Sequence, residues 1–147
     1  MIIRKGQAPV VHADEEDTQY YGSSELLPLA DVGGLTQFGA HLQTLQPGTR
    51  SSDRHWHEAK DEFLYVISGE ATVIEDDGPH PLHPGDAACW PAGAPNAHQV
   101  VNRSESPCSS SSSAPGCYLM SSITPTWERS STTSSTDRRG GSATTGP

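Results

Sequence analysis

The sequence is poor in cysteine and has no long apolar run. Its three cysteines among 147 residues form no Cys-x-x-Cys pair, and an odd number at irregular spacing argues against a disulfide scaffold. We expect a reducing compartment, the cytoplasm, because the first residues also lack the apolar stretch of a secretory signal. No run approaches the roughly 18 apolar residues of a membrane-spanning helix, so we expect no membrane partner.

Basic residues are also scarce. The chain has 9 Lys and Arg against 18 Asp and Glu, which gives a formal net charge of −9. Neutralising nucleic-acid phosphates requires clustered Lys and Arg, so the composition predicts no nucleic-acid partner. Hydrophobic residues make up 33% of the chain. This share is low for a single compact domain and predicts that part of the chain lies outside the core.

Histidine, in contrast, occurs in a pattern. His55 and His57 flank Trp56, so in an extended strand both imidazoles point to the same face. After a short charged turn, Glu62 opens a strand rich in aromatic and β-branched residues, Glu62–Ser68. An isolated His-x-His beside a carboxylate is more often a surface hydrogen-bonding pair than a metal site. Two imidazoles and a carboxylate on neighbouring strands can nevertheless converge on one divalent transition metal.

A third histidine in a second segment favours the metal interpretation. Residues 85–93 have the pattern of a glycine turn, a short apolar strand and a Pro-x-Gly turn, and residues 96–102 return as a strand. Asn96 and His98 share one face of that strand, so either side chain could reach the ion. Imidazole is the better ligand for a transition metal, and we predict His98.

The first segment resembles the first motif of the cupin superfamily, in which a glycine precedes His-x-His and a glutamate and a second glycine follow. The residues in these positions are Gly48, His55, His57, Glu62 and Gly69. Six residues rather than the family's five follow the first glycine. The remaining spacing agrees with the motif.

The second segment resembles the second cupin motif, which consists of a glycine, Pro-x-Gly, a histidine and an asparagine. The matching residues are Gly85, Pro91, Gly93, His98 and Asn102. Four residues rather than two separate Gly93 from His98, and strict spacing would put Asn96 at the histidine position. The resemblance covers about residues 35–103 and implies a barrel with one metal ion inside it.

The strand pattern and the resemblance predict an all-β fold, a jelly roll or double-stranded β-helix barrel. Short strands alternate with Gly, Pro and Asp turns, without helical periodicity. The expected strands cover residues 38–45, 62–68, 71–75, 80–83, 86–90 and 96–102, with a hairpin turn at residues 76–78. The expected division is an irregular N-terminal arm (1–34), the cupin barrel (35–103) and a low-complexity tail (104–147).

The strand Glu62–Ser68 is apolar on both faces. Its outward-facing residues are Phe63, Tyr65 and Ile67. We expect the N-terminal arm or a second subunit to cover them, and the second case predicts a homodimer. The inner face predicts a mostly apolar cavity lined by Leu64, Val66, Cys89 or Trp90, and Val100.

The other histidines of the barrel and arm show no ligand pattern. His12 and His41 are expected to form ordinary hydrogen bonds. His80 and His83 have no partner at ligand spacing, so we expect structural roles for them. Trp56 alternates away from the ligands and is expected to pack against the barrel.

The composition changes at residue 104. Fourteen Ser and seven Thr fall within the last 44 residues, including five consecutive Ser at 109–113. Such a segment buries too little apolar surface to offset its ordering entropy, so we expect a disordered tail. Read with a one-base shift, residues 113–116 can encode Val-Gly-Thr-Arg and residues 122–128 can encode His-Tyr-Pro-Asp-Leu-Gly, which resemble the closing segments of related cupins. The tail is therefore either native or the product of a frameshift near Cys108, and a frameshift would remove the last barrel strand and leave an edge unpaired.

The predicted metal ligands are His55, His57, Glu62 and His98. Three imidazoles and one carboxylate leave one or two positions open and suit Fe, Mn, Zn, Ni or Cu. We expect a metal-dependent enzyme of dioxygenase, isomerase or hydrolase type that acts on a small organic molecule. The alternative is a barrel that binds a small molecule or a partner without turnover.

Overall fold

The computed structural model describes residues 1–114, which form two antiparallel sheets around one core. The larger sheet has the order β1-β2-β3-β9-β4-β7 and the smaller one β6-β5-β8. The strands are β1 (Val11–His12), β2 (Ser24–Leu27), β3 (Gly39–Leu45), β4 (Glu62–Ser68), β5 (Ala71–Glu75), β6 (Gly78–Leu82), β7 (Ala87–Trp90), β8 (Gln99–Val101) and β9 (Cys108–Ala114). The helices are α1 (Glu15–Tyr21) and α2 (Leu29–Gly33). The predicted all-β jelly roll is confirmed.

The alternation along β4 separates the core from the outer face. Leu64 and Val66 are buried, whereas Phe63, Tyr65 and Ile67 are each at least 40% exposed. Side chains of a strand alternate between faces, so the inward set joins the core while the outward set stays in contact with solvent. The buried apolar core contains Leu45, Leu64, Val66, Ala71, Val73, Trp90, Val100 and Cys108.

The N-terminal arm is more regular than the sequence pattern predicts. Asp14 caps α1 by accepting a hydrogen bond from the backbone N–H of Asp17 at 2.8 Å. Three acidic residues occupy the first helical turn, where they interact favourably with the positive end of the helix dipole. An acidic segment without apolar periodicity therefore forms a short helix through its cap.

The arm extends the larger sheet at its edge and does not cover the outer face of β4. Strand β2 pairs antiparallel with β3, from Ser24 opposite Leu45 to Leu27 opposite Leu42. Tyr65 remains 41% exposed, so the expectation that the arm covers this face is wrong. The covering second subunit stays a prediction.

The serine run forms a strand inside the sheet, although we assigned it to the tail. Strand β9 lies between β3 and β4 and pairs with both, so the sheet continues past residue 103 and no edge is left unpaired at this position. Serine is a modest strand former. The two flanking strands determine the outcome, because they offer unpaired backbone groups on both sides of β9.

Gly69 allows β9 to begin where it does. This residue has φ +74°, and a Cβ built on it would lie 2.5 Å from the carbonyl oxygen of Pro107 and 2.8 Å from Cα of Cys108. Only glycine combines that backbone conformation with so close a contact. The second glycine of the first motif therefore has a structural reason.

Asn102 fixes the loop that precedes β9. It is fully buried, and its amide group donates to the carbonyl oxygens of Leu45 and Ser106 at 2.9 and 2.8 Å. Its side-chain oxygen accepts from the backbone N–H of Ser104 at 3.0 Å. The asparagine of the second motif thus ties the end of β8 to β3 and to the start of β9.

The remaining tail, residues 115–147, lies outside the described residues, as do most of the positions that carry the frameshift interpretation. That interpretation stays a prediction. Within residues 1–114 no helix is long and apolar enough to cross a membrane.

Candidate metal centre

Glu62 is the centre of the cluster that the sequence predicts. It is the first residue of β4 and lies opposite Trp90 of β7. Its Oε2 atom lies 3.0 Å from Nε2 of His98, 3.3 Å from Nε2 of His57 and 3.9 Å from Nε2 of His55. One carboxylate oxygen therefore faces three imidazole nitrogens.

Backbone pairing brings His55 and His98 together from distant parts of the chain. The two residues form an isolated antiparallel bridge, with reciprocal N–H to carbonyl hydrogen bonds of 3.0 and 2.9 Å. Residues directly opposite in such a pair have side chains on the same face. Their ring centroids lie 5.1 Å apart.

His57 follows two residues later and so returns to the same face. Its ring centroid lies 5.0 Å from that of His55. Its carbonyl oxygen accepts a hydrogen bond from the backbone N–H of Gly93 at 2.9 Å. The Pro-x-Gly turn of the second motif therefore holds the His-x-His segment of the first.

The other ring nitrogens have backbone partners. Nδ1 of His55 lies 2.8 Å from the carbonyl oxygen of Asp53, and Nδ1 of His98 lies 3.3 Å from that of Asn96. A carbonyl can only accept, so Nδ1 of His55 donates its proton to the Asp53 carbonyl, and Nε2 of the neutral His55 ring presents a lone pair to the cluster. Metal-binding histidines commonly have this arrangement.

The pKa shifts of Glu62 and His55 favour an ionised carboxylate beside a neutral imidazole ring. Burial by itself would raise the pKa of Glu62, but hydrogen bonds from His57 and His98 outweigh it and hold the pKa of this carboxyl well below its usual range. Burial lowers the pKa of His55, although its hydrogen bond to the Asp53 carbonyl opposes the shift. At neutral pH this pair offers one anionic oxygen and one neutral nitrogen, the forms that bind metal.

The cluster is closed on one side and open on the other. The side chain of His98 is 2% exposed, whereas those of His55 and His57 are 39% and 34% exposed. A small molecule can therefore approach from the side of the His-x-His segment.

Asn96 points away from this cluster. Its side-chain oxygen accepts a hydrogen bond from the backbone N–H of Asp76 at 3.1 Å, in the turn between β5 and β6. Of the two alternatives for the last position, the structure brings His98 to Glu62 and leaves Asn96 at the hairpin.

The structure adds an inner wall that the sequence interpretation missed. Register pairs His41 of β3 with Ser112 of β9, and Ser112 with the buried Leu64 of β4. Gln43 and Ser110 form the next such row beside Val66. Cross-strand partners share a face, so these polar side chains lie on the inner face, and the predicted mostly apolar lining is incomplete. The signal was the two-residue alternation of His41 and Gln43 along β3.

His41 is thus placed differently from its expected role as an ordinary hydrogen-bonding histidine. Burial lowers its pKa, while the negative charges of Glu62 and Asp31 raise it less strongly. The imidazole therefore senses the charge of the cluster from β3 of the same sheet, across the intervening strand β9.

The structure also decides between Cys89 and Trp90, the two alternatives for the cavity lining. Trp90 is 6% exposed and joins the core, whereas Cys89 is exposed and lies opposite the outward-facing Phe63. Of the two alternatives for the cavity lining, Trp90 is therefore correct. Tyr65 also faces outward.

His80 and His83, for which the sequence predicts structural roles, both have carboxylate partners. Nε2 of His80 lies 2.7 Å from Oδ1 of Asp77, and Nε2 of His83 lies 3.4 Å from a carboxylate oxygen of Glu70. Ligand atoms of Glu75, Asp77 and His80 fall within 4.8 Å of one another, as do those of His55, Glu62 and His98. The tight turn at residues 76–77 brings the two strands of the β5–β6 hairpin together, a proximity that linear spacing did not suggest.

Comparison with known proteins identifies the family. The cupin domain family (Cupin_2) matches residues 41–110, which span both histidine motifs and most of β9. The chain belongs to the cupin superfamily. Donor atoms of His55, Glu62 and His98 lie within 4.8 Å of one another, and Nε2 of His57 lies 3.3 Å from the same carboxylate oxygen. Imidazole and carboxylate donors of this kind suit the divalent transition metals that cupins commonly bind.

Two solved structures resemble this cupin over most of its barrel. A sugar phosphate isomerase of the cupin superfamily from Silicibacter pomeroyi is 36% identical, with a TM-score of 0.72, over 78% of this chain and 75% of that chain. The cupin domain of an XRE family transcriptional regulator from Enterobacter cloacae is 28% identical, with a TM-score of 0.52, over 62% of this chain and 94% of that chain.

A curated relative matches a shorter region. Protein SchB from Streptomyces halstedii is 34% identical over 70 residues, which make up 48% of this chain and 50% of the relative. This cupin therefore spans about half the length of that protein.

Proposed function

We propose that this cupin is a metal-dependent enzyme of isomerase type that acts on a small hydroxylated carbonyl compound. Its ligands are His55, His57, Glu62 and His98. The observation that carries the proposal is the convergence of three Nε2 atoms within 3.0 to 3.9 Å of one carboxylate oxygen. Fe, Mn, Zn, Ni and Cu all suit this donor set.

The similarity to the Silicibacter pomeroyi sugar phosphate isomerase favours isomerisation over dioxygenase and hydrolase chemistry. A bound divalent metal supplies Lewis-acid polarisation of a carbonyl oxygen. Polarisation makes the C–H bond beside the carbonyl more acidic, so isomerisation needs one protein group that takes this proton and returns it to the former carbonyl carbon.

We assign that proton transfer to His41. It lies on the inner face of the same sheet as Glu62, with β9 between the two strands. Burial keeps its pKa below the ordinary value, so the ring is neutral and able to accept a proton at neutral pH. Gln43, Ser110 and Ser112 supply amide and hydroxyl groups on the same wall. These groups suit the hydroxyl groups of a sugar-like molecule.

The wall holds the sugar portion rather than a phosphate. Strands β3, β4 and β9 contain no Lys or Arg, and a phosphate dianion needs positive charge or several N–H donors. A substrate phosphate, if present, therefore lies toward the open side of the cluster.

The test is proton exchange in heavy water. The metal-loaded protein should incorporate deuterium beside the carbonyl of one aldose, ketose or sugar phosphate in a panel, detected by NMR. His41→Asn should retain the metal and lose the exchange, whereas Glu62→Gln should lose both. If the protein binds the metal but catalyses proton exchange in none of the panel compounds, the isomerase assignment is contradicted.

The second candidate is a barrel that binds a small molecule without turnover. The similarity to the cupin domain of the transcriptional regulator favours it. Calorimetric binding of a panel compound with no exchange and no product would support this function over catalysis.

We also propose that this cupin forms a homodimer through the outer face of β4. The exposed aromatic and aliphatic side chains are Phe63, Tyr65 and Ile67. Sedimentation at several concentrations tests the assembly, with Tyr65→Glu as the variant expected to dissociate it. A monomeric wild-type protein would contradict the proposal.

The free thiols of Cys89 and Cys108 support the cytoplasm as the compartment.

A further inference from the structure

Trp90 contacts the predicted metal ligands without offering a ligand atom itself. Its ring stacks on the ring of His98, with centroids 3.8 Å apart and planes 10° from parallel. Trp90 lies opposite Glu62 in the β4–β7 register, so one indole packs beside two predicted ligands.

The indole is itself held from the other sheet. Its Nε1–H donates to Oε1 of Glu75 at 2.6 Å, and Glu75 is the last residue of β5. This hydrogen bond connects β7 of the larger sheet to β5 of the smaller one. A hydrogen bond to an ionised acceptor is short and strongly directional, so it fixes the plane of the indole ring.

Besides the indole, polar contacts at both nitrogens hold the buried His98 ring: Nε2 with Oε2 of Glu62 at 3.0 Å and Nδ1 with the carbonyl oxygen of Asn96. Rotation about the bond to an imidazole ring has a broad energy profile. The 3.3 Å contact of Nδ1 with the Asn96 carbonyl is long for a hydrogen bond. The stacked indole blocks ring rotation from one face and thereby keeps Nε2 directed at Glu62.

We infer that Trp90 and Glu75 form a positioning pair that holds His98 in the orientation needed for metal binding. The inference rests on the proposed metal site. Neither residue belongs to the group formed by His55, Glu62 and His98, and Glu75 is connected to it through the indole. Residues that orient metal ligands commonly change metal affinity by about 10- to 100-fold when removed.

Cobalt(II) titration is the first measurement, because the visible spectrum of bound Co(II) reports ligand geometry as well as affinity. Trp90→Leu removes the stacked ring and should weaken Co(II) binding by about 10-fold or more, with an altered spectrum. Trp90→Phe keeps an aromatic ring without the N–H and should recover most of the affinity. Glu75→Gln keeps a neutral acceptor, so it should bind Co(II) more tightly than both Trp90 variants and less tightly than the wild type.

His80→Asn is the matched control. It removes a side chain from the cluster of Glu75, Asp77 and His80 but leaves the bond between Trp90 and Glu75 in place. Unchanged Co(II) affinity and spectrum are expected. A weakened affinity in this control would place the metal at the hairpin and overturn the inference.

NMR of the metal-free protein separates this inference from the metal proposal. Stacking should shift the His98 ring protons upfield through the ring current of Trp90. The shift should persist in Trp90→Phe, disappear in Trp90→Leu and change in Glu75→Gln. If the wild type binds no Co(II) but shows these shifts, the proposed function fails and the positioning geometry stands.

Either of two results would overturn the inference. One is wild-type Co(II) affinity and spectrum in Trp90→Leu. The other is an unshifted His98 ring in the wild type. Because Trp90 belongs to the core, thermal unfolding accompanies each variant, and a misfolded Trp90→Leu leaves Trp90→Phe and Glu75→Gln to decide.

Discussion

Two clusters of similar residue types lie within the described chain, and they differ in how they are built. The buried cluster joins His55, Glu62 and His98, whereas the hairpin cluster joins Glu75, Asp77 and His80. The first brings together residues up to 43 positions apart along the sequence. The second occupies six consecutive positions of one hairpin.

The surroundings shift the pKa of a histidine in each cluster in opposite directions. His80 lies at the surface, and its hydrogen bond to Asp77 raises its pKa, so the ring keeps its proton to a higher pH than an ordinary histidine, and that proton competes with a metal ion. Burial instead lowers the pKa of His55, which favours a free lone pair. A local arrangement of ligand-type residues is therefore not equivalent to one assembled and buried by the fold.

The largest expected effect is the loss of metal from the buried cluster. Glu62→Gln removes the carboxylate whose Oε2 atom faces the three imidazoles and should weaken binding of a divalent metal by more than about 100-fold, beyond the loss typical of outer residues. Asp77→Asn, the matched change at the hairpin, should leave the affinity within about twofold. Metal analysis after dialysis and Co(II) titration measure both. Equal losses in the two variants would remove the distinction between the clusters.

A medium effect is expected from a pair of asparagines. Asn102→Ala leaves buried carbonyls without donors and should lower the free energy of unfolding by about 2 kcal/mol. Asn96→Ala breaks a hydrogen bond near the surface and should cost about 0.5 kcal/mol or less. Urea unfolding measures the two values.

The same asparagine variants test the ligand choice. Asn96→Ala should keep full metal affinity if His98 is the ligand. Loss of metal in Asn96→Ala with His98 intact would show that position 96 reaches the ion.

The smallest effect is the pH dependence of the metal-free protein. Burial lowers the pKa of His41 and of His55 below 6.5, so the unfolded chain takes up protons first as the pH falls through that value. Stability should therefore decline on acidification from about pH 7.5 to about pH 5.5. The lowered pKa of Glu62 adds a further loss below its ordinary value of 4.5, in the same direction.

Urea unfolding at several pH values measures this dependence. His41→Asn should reduce its slope, while His80→Asn should not, because the pKa of the exposed His80 is raised rather than lowered. A stability that rises on acidification would contradict the assignment of buried neutral rings.

Much of the barrel was predictable because its local signals are strong. The alternation of Glu62–Ser68 gave its boundaries correctly, and an Asp-Gly turn placed the β5–β6 hairpin. Strand β8 is shorter than expected, Gln99–Val101, because His98 pairs only with the isolated position His55.

Other elements had a weaker local signal or none. Serine does not favour a strand, and β9 forms because β3 and β4 leave a place between them. Helix α1 depends on the cap at Asp14, which an acidic composition does not reveal. His41 looked ordinary because its relation to Glu62 exists only across the sheet.

The sequence by itself determined the strand alternation and the turns, and it predicted His55, His57 and Glu62 as ligands, since these depend on neighbouring residues. The tertiary structure decided that His98 rather than Asn96 meets Glu62, that Trp90 stacks on His98, and that a serine run completes the sheet. These outcomes depend on cross-strand register and on contacts between two sheets. Such contacts join residues far apart in the chain, so no local pattern specifies them.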